Sequence, residues 1–120
     1  MSDATSISDS PDVDLPGTAG RVAKERPELW RAFQGLGESA GAAGPLSERE
    51  QRLVNLAFAI GGSSEGATHS HARRAVAEGL SAGELDHVAF LAITTLGWPQ
   101  AIRGLTWIRD VTCWPSSRIL

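Results

Sequence analysis

The chain has 120 residues, of which 42% are hydrophobic, and a formal net charge of −3 at pH 7. This length predicts one domain, and the apolar content is sufficient for a packed core, which excludes global disorder. The chain has no basic stripe of the kind that predicts nucleic-acid binding, and it has no apolar run as long as a membrane span. The N-terminus lacks a signal-peptide pattern and the single cysteine, Cys113, allows no intrachain disulfide, so a cytoplasmic location is expected.

Residues 1–20 are polar, acidic and rich in Ser, Gly and Pro. Such a segment buries too little apolar surface to offset the entropy of ordering, so a flexible acidic tail is predicted. Residues 21–120 are then the folded domain. Its first helix is predicted over residues 21–36, with Pro27 at a first-turn position and one apolar face, followed by a glycine-rich loop. That face consists of Leu29, Trp30, Phe33 and Leu36.

The second helix opens at Ser47, because Ser47 and Glu50 have the spacing of a capping box. Gly61 and Gly62 end it. Its predicted core face contains Leu53, Leu56, Ala57 and Ile60, widened by Val54 and Phe58. The third helix begins after a cap at Ser63 or Ser64, with Glu65 in its first turn, and Gly79 follows its end at Glu78.

A second capping box, Ser81 with Glu84, opens the fourth helix. This helix is apolar nearly all round, which is typical of a central helix or one in a subunit interface. The fifth helix starts at Pro99, with apolar positions at helical spacing, and residues 113–120 are expected to be extended. No pair of strands with a hairpin turn is evident, so the predicted class is all-α, with five to six helices.

Residues 45–101 resemble the carboxymuconolactone decarboxylase and AhpD-like alkylhydroperoxidase family. The resemblance rests on an apolar helix at residues 53–60, on the run HARRA starting at His71 and leading to residues 78–81, and on Gly97-Trp98-Pro99. It implies a helical bundle that assembles into homo-trimers or homo-hexamers, with sites close to subunit contacts. It also implies that His71 occupies the position of the family's functional histidine.

In the redox branch of this family, two cysteines precede the histidine by seven and four residues, and a glutamate in the preceding helix helps to relay protons. The matching positions here are Ser64, Ala67 and Arg52. The dithiol is therefore missing, and peroxidase activity is not expected.

In the decarboxylase branch, a glutamate stands four residues before the histidine and no cysteine is needed. Aligned on His71, that position is Ala67, whereas Glu65 and His69 reproduce the spacing two residues earlier. A carboxylate one turn from an imidazole can fix its tautomer and raise its basicity. The catalytic candidates are therefore His71, His69 and Glu65, and since helix residues turn by about 100°, the two histidines cannot share one face.

The substrate-binding candidates are Arg73 and Arg74, which could hold a carboxylate, together with Ser64 and Trp98. His87, next to Asp86, is expected on a solvated face. No metal or other cofactor is expected.

Three functions remain open. The first is a cofactor-free acid–base lyase acting on a small carboxylic acid or lactone, in the manner of a decarboxylase. The second is an AhpD-like peroxidase, against which the missing dithiol argues. The third is a non-catalytic oligomeric homologue. For each, a homo-oligomer is predicted, because the apolar fourth helix and Trp98, Trp107 and Trp114 offer more apolar surface than a small domain can cover.

Overall fold

The computed structural model describes Leu15 and residues 17–113, and the described residues contain six helices and no strand. The prediction of an all-α class with five to six helices is thereby confirmed for this part of the chain. In chain order the helices are α1 Gly17–Glu25, α2 Pro27–Ala42, α3 Glu48–Gly61, α4 Glu65–Ala77, α5 Ala82–Leu96 and α6 Trp98–Thr112. Of the predicted tail over residues 1–20, residues 1–14 and residue 16 lie outside the described residues, whereas residues 17–20 are not a tail but the start of α1. Residues 114–120 of the segment expected to be extended also lie outside the described residues.

The chain forms two compact units that divide after Pro45. In the first unit, the single helix expected over residues 21–36 is instead two helices, α1 and α2. The break falls at Arg26, whose φ of −133° and ψ of 72° are not helical. The cause is Pro27, because a proline disfavours helical backbone at the residue before it. Helix α2 also runs past Gly35, Gly37 and Gly41, which were expected to end it.

The second unit contains α3 to α6, and its helix starts follow the local sequence signals. Ser47 and Ser81 form the two predicted capping boxes with Glu50 and Glu84, and each hydroxyl accepts a backbone N–H bond of 3.1 Å. Ser64, one of the two serines considered, caps α4 by accepting from the Ala67 N–H. Gly79 and Gly97, which follow α4 and α5, both have a φ of +95°, a conformation that favours glycine.

One apolar core lies among these four helices, and it contains fewer of the apolar residues than the sequence predicts. The fully covered side chains Leu56, Ile60, Leu85 and Ile108 come from α3, α5 and α6, while α4 adds only Ala72 and Ala75. The predictions that Val54, Ala57 and Phe58 face this core are wrong, since all three are exposed, Phe58 by 71%. Val76 near the end of α4 is exposed as well.

Among the described residues, no helix is both long and apolar enough to cross a membrane.

Candidate functional site

Helix α4 presents its two histidines to different neighbours, as their spacing predicts. His71 contacts Arg52 of α3, and His69 contacts Asp110 of α6. The buried residues Thr68, Ala72 and Ala75 separate these two edges of the helix. The two histidines therefore belong to two distinct polar clusters, one on each side of α4.

The first cluster is built around Arg52, which holds two partners at once. Its Nη1 lies 2.7 Å from Nδ1 of His71. Its Nε and Nη2 donate to the two carboxylate oxygens of Glu78 at 3.0 and 2.8 Å, in a bidentate pair. Because a guanidinium can only donate, Nδ1 of His71 is the acceptor, and the proton of the neutral ring is on Nε2. Glu78 was not among the site residues predicted from the sequence.

The electrostatics of this cluster keep His71 neutral. Burial of the ring, the charge of Arg52 and then that of Arg74 lower the pKa of His71 to about 4, against a weaker opposing effect of Glu78. The hydrogen bonds from Arg52 lower the pKa of Glu78, which is therefore ionised at pH 7. Arg74, one turn beyond His71 on α4, also has a lowered pKa, through burial and then the charge of Arg52.

The second cluster joins α4 to α6. Nε2 of His69 lies 2.9 Å from Oδ2 of Asp110, and the side chains are 24% and 48% exposed. Glu65, one turn before His69, offers a carboxylate oxygen within 4.8 Å of the donor atoms of the other two. The sequence suggested Glu65 as the partner of His69 but did not suggest Asp110, which is 41 residues away.

The positions that would carry the dithiol of the redox branch perform a structural role. Ser64 is the N-cap of α4, where its hydroxyl accepts from Ala67 at 3.1 Å and its carbonyl accepts from the Thr68 hydroxyl at 2.7 Å. Cys113, the one cysteine of the chain, follows the end of α6 and is exposed.

The remaining predicted residues lie apart from these clusters or at their edge. Arg73 and Arg74 are both exposed by surface area, and Trp98, at the start of α6, is 63% exposed. Among the predicted substrate-binding residues, Arg74 lies closest to the chemistry, because its charge acts on His71.

An apolar groove between α3 and α5, with a volume of about 750 Å³, was not predicted. His87 and Glu84 are among its few polar lining residues, while none of the predicted site residues lines it. The sequence did not indicate the groove because Val54, Ala57 and Phe58 of α3 were assigned to the core. Leu91 and Leu96 of α5 line it as well.

The described residues thus belong to a small all-helical protein in which a histidine on one helix, His71, contacts a side chain of the helix before it, Arg52. Residues 27–110, more than half of the chain, match the model of the carboxymuconolactone decarboxylase family, and the chain belongs to this family. Comparison with curated proteins and with solved structures gave no match.

Proposed function

We propose that this chain is a cysteine-independent member of its family that binds a small carboxylic acid or lactone at the Arg52–His71 cluster and acts on it as a decarboxylase-like lyase. The observation that carries this proposal is the contact of 2.7 Å between Arg52 and Nδ1 of His71. It leaves Nε2–H of His71 as a hydrogen-bond donor, with Arg74 one turn away.

Such a donor suits a reaction in which negative charge develops on oxygen. When a carboxylate leaves a conjugated lactone as CO₂, the electron pair of the broken C–C bond moves toward the lactone carbonyl and forms an enolate. A neutral imidazole N–H and nearby guanidinium charges stabilise such an oxyanion when they are in place before the reaction. His71 thus acts as the donor to the enolate oxygen, and Arg74 holds the substrate carboxylate.

This role differs from the proton transfer that the sequence suggests for His71. A ring with a pKa of about 4 is a weak base at pH 7, and Arg52 occupies the nitrogen that could accept a proton. His71 is therefore not the general base in this proposed reaction, and water protonates the product carbon.

Two observations bear on the other candidate functions. Ser64 and Ala67 at the dithiol positions argue against a peroxidase. The bidentate pairing of Arg52 with Glu78 supports a purely structural role for this cluster, and hence the non-catalytic homologue, as the second candidate.

Arg74→Met is expected to weaken binding of a small lactone carboxylate about tenfold or more, because a charge-assisted hydrogen bond contributes about 1.5–3 kcal/mol. Affinity is measured by NMR titration, with Arg73→Met as the matched control on the same helix and the neutral amide of the ligand as a second control. Equal affinity in both variants, or for acid and amide, would refute the binding site.

The lyase step has its own readout, the release of CO₂ by the same protein. His71→Gln, which keeps an N–H donor, should retain more turnover than His71→Leu. Binding without turnover by the unmodified protein would favour the non-catalytic homologue.

We also propose that the protein is a homo-oligomer, a trimer or hexamer, in which a second copy covers the groove between α3 and α5. Phe58 and Leu91 line this groove and are 71% and 60% exposed. Apolar surface of this kind on a small domain is typical of an association site.

The double substitution Phe58→Gln and Leu91→Gln should convert the oligomer to a monomer of 12.7 kDa in light scattering. Val76→Gln is the control, because Val76 is an exposed apolar residue outside the groove. A monomeric unmodified protein at micromolar concentration would contradict this proposal.

A further inference from the structure

We propose that Glu65, His69 and Asp110 bind a divalent transition-metal ion such as Zn²⁺. Helix α4 supplies Glu65 and His69 one turn apart, and α6 supplies Asp110. Each residue offers one ligand atom, and the three atoms lie within 4.8 Å of one another. This cluster lies away from the Arg52–His71 contact, so the proposal is independent of the proposed function.

The distances suit direct coordination. Nitrogen and oxygen ligands bind Zn²⁺ at about 2.0–2.2 Å, so two ligand atoms of one site lie about 3 Å apart. Nε2 of His69 and Oδ2 of Asp110 are already 2.9 Å apart. Helices α4 and α6 therefore already hold these two ligand atoms at a separation suited to one ion. Glu65, an exposed side chain at the start of α4, completes the set, with its carboxylate oxygen within 4.8 Å of both atoms.

The two helices that carry the ligands are anchored in the core by buried residues close to the ligands in sequence. Thr68 and Ala72 of α4 and Ile108 of α6, which neighbour the ligands in sequence, are fully buried. Since these residues fix the backbone on both sides, the positions of His69 and Asp110 do not depend on a loop. Sites on such rigid elements bind with better-defined geometry than sites on loops.

The ligand types select the class of metal. One imidazole with two carboxylates suits Zn²⁺, Mn²⁺, Fe²⁺ or Co²⁺, whereas Mg²⁺ and Ca²⁺ prefer sites made of oxygen alone. The two carboxylates offset the charge of the ion, and half of the Asp110 side chain is exposed. Three protein ligands with solvent access leave a coordination position for water or a small anion.

The test uses the full-length protein after treatment with EDTA and subsequent removal of the chelator. We expect saturable binding of one Co²⁺ or Zn²⁺ per chain, seen by calorimetry and by the visible absorption of Co²⁺. His69→Gln and Asp110→Asn should each weaken this binding about tenfold or more, while Glu48→Gln, which removes an exposed carboxylate of α3 outside the site and outside the groove, should leave it unchanged.

A second readout guards against variants that fold poorly. Zn²⁺ should raise the Tm of the unmodified protein and of Glu48→Gln but not of His69→Gln, and circular dichroism should show all three to be helical. Glu65→Gln, at an exposed position, provides a milder variant. No saturable binding, or an equal loss in Glu48→Gln and His69→Gln, would overturn the proposal. Carboxylate binding at His71 should persist in the metal-free protein, which separates this test from that of the proposed function.

Discussion

Replacing Arg52 by methionine is expected to raise the pKa of His71 by about one pH unit or more from its value of about 4. The substitution removes the charge and the donor at Nδ1 but keeps an unbranched apolar side chain of similar reach. Glu78, no longer paired with Arg52, should also favour the charged ring. Burial of the ring persists, so the pKa should stay below its ordinary value of 6.5.

An NMR titration of the histidine ring protons in metal-free protein measures this pKa, and the chain has only three histidines to assign. Arg73→Met is the matched control, since Arg73 is exposed and its charge does not contribute to the shift of His71. An unchanged His71 pKa in Arg52→Met would show that Arg52 does not contact the ring in solution. Equal shifts in the two variants would point to general charge effects.

The same low pKa has a consequence for stability. Between pH 6.5 and about 4 the unfolded chain binds a proton at this histidine that the folded chain does not. The free energy of unfolding should therefore fall as the pH falls through this window. Glu78 acts mainly below pH 4.5, because its folded-state pKa is lowered from that value. Urea unfolding between pH 6.5 and 4.5 should accordingly show a flatter pH dependence in His71→Gln.

Gly104→Ala is expected to destabilise the second unit by about 1–3 kcal/mol, although alanine is the better helix former. A Cβ at position 104 would lie 2.6 Å from Cγ2 and 2.9 Å from Cγ1 of Ile60. Ile60 of α3 is fully buried in the core, so its side chain cannot rotate away without disturbing its neighbours. Glycine is required here because α6 approaches the Ile60 side chain closely.

Gly66→Ala is the matched control, because a Cβ on Gly66 of α4 would meet nothing within 4 Å. That change should be neutral or stabilising by up to about 1 kcal/mol. In an Ile60→Ala background, Gly104→Ala should cost much less, since the methyl groups it collides with are gone. Denaturant unfolding measures all four variants, and equal effects of the two glycine substitutions would refute the close approach.

The sequence alone predicts the features that depend on residues a few positions apart. Both capping boxes, a cap at one of the serines 63 and 64, and the turn at Gly79 were predicted, because a capping serine and its partner three residues on belong to the same helix turn. The separation of His69 from His71 follows from the helical angle in the same way. The family resemblance also identified Arg52 as the residue in place of the usual glutamate.

The tertiary structure alone decides which distant side chains meet and which apolar residues stay exposed. His71 pairs with a residue 19 positions away and His69 with one 41 positions away. Periodicity gives the side of a helix on which a residue lies but not the helix that packs against it. Val54 and Phe58 were predicted to face the core, but α3 and α5 leave them, together with Leu91, along an open groove. Whether an apolar side chain is buried depends on how the four helices pack against one another. The pattern within one helix does not contain that information.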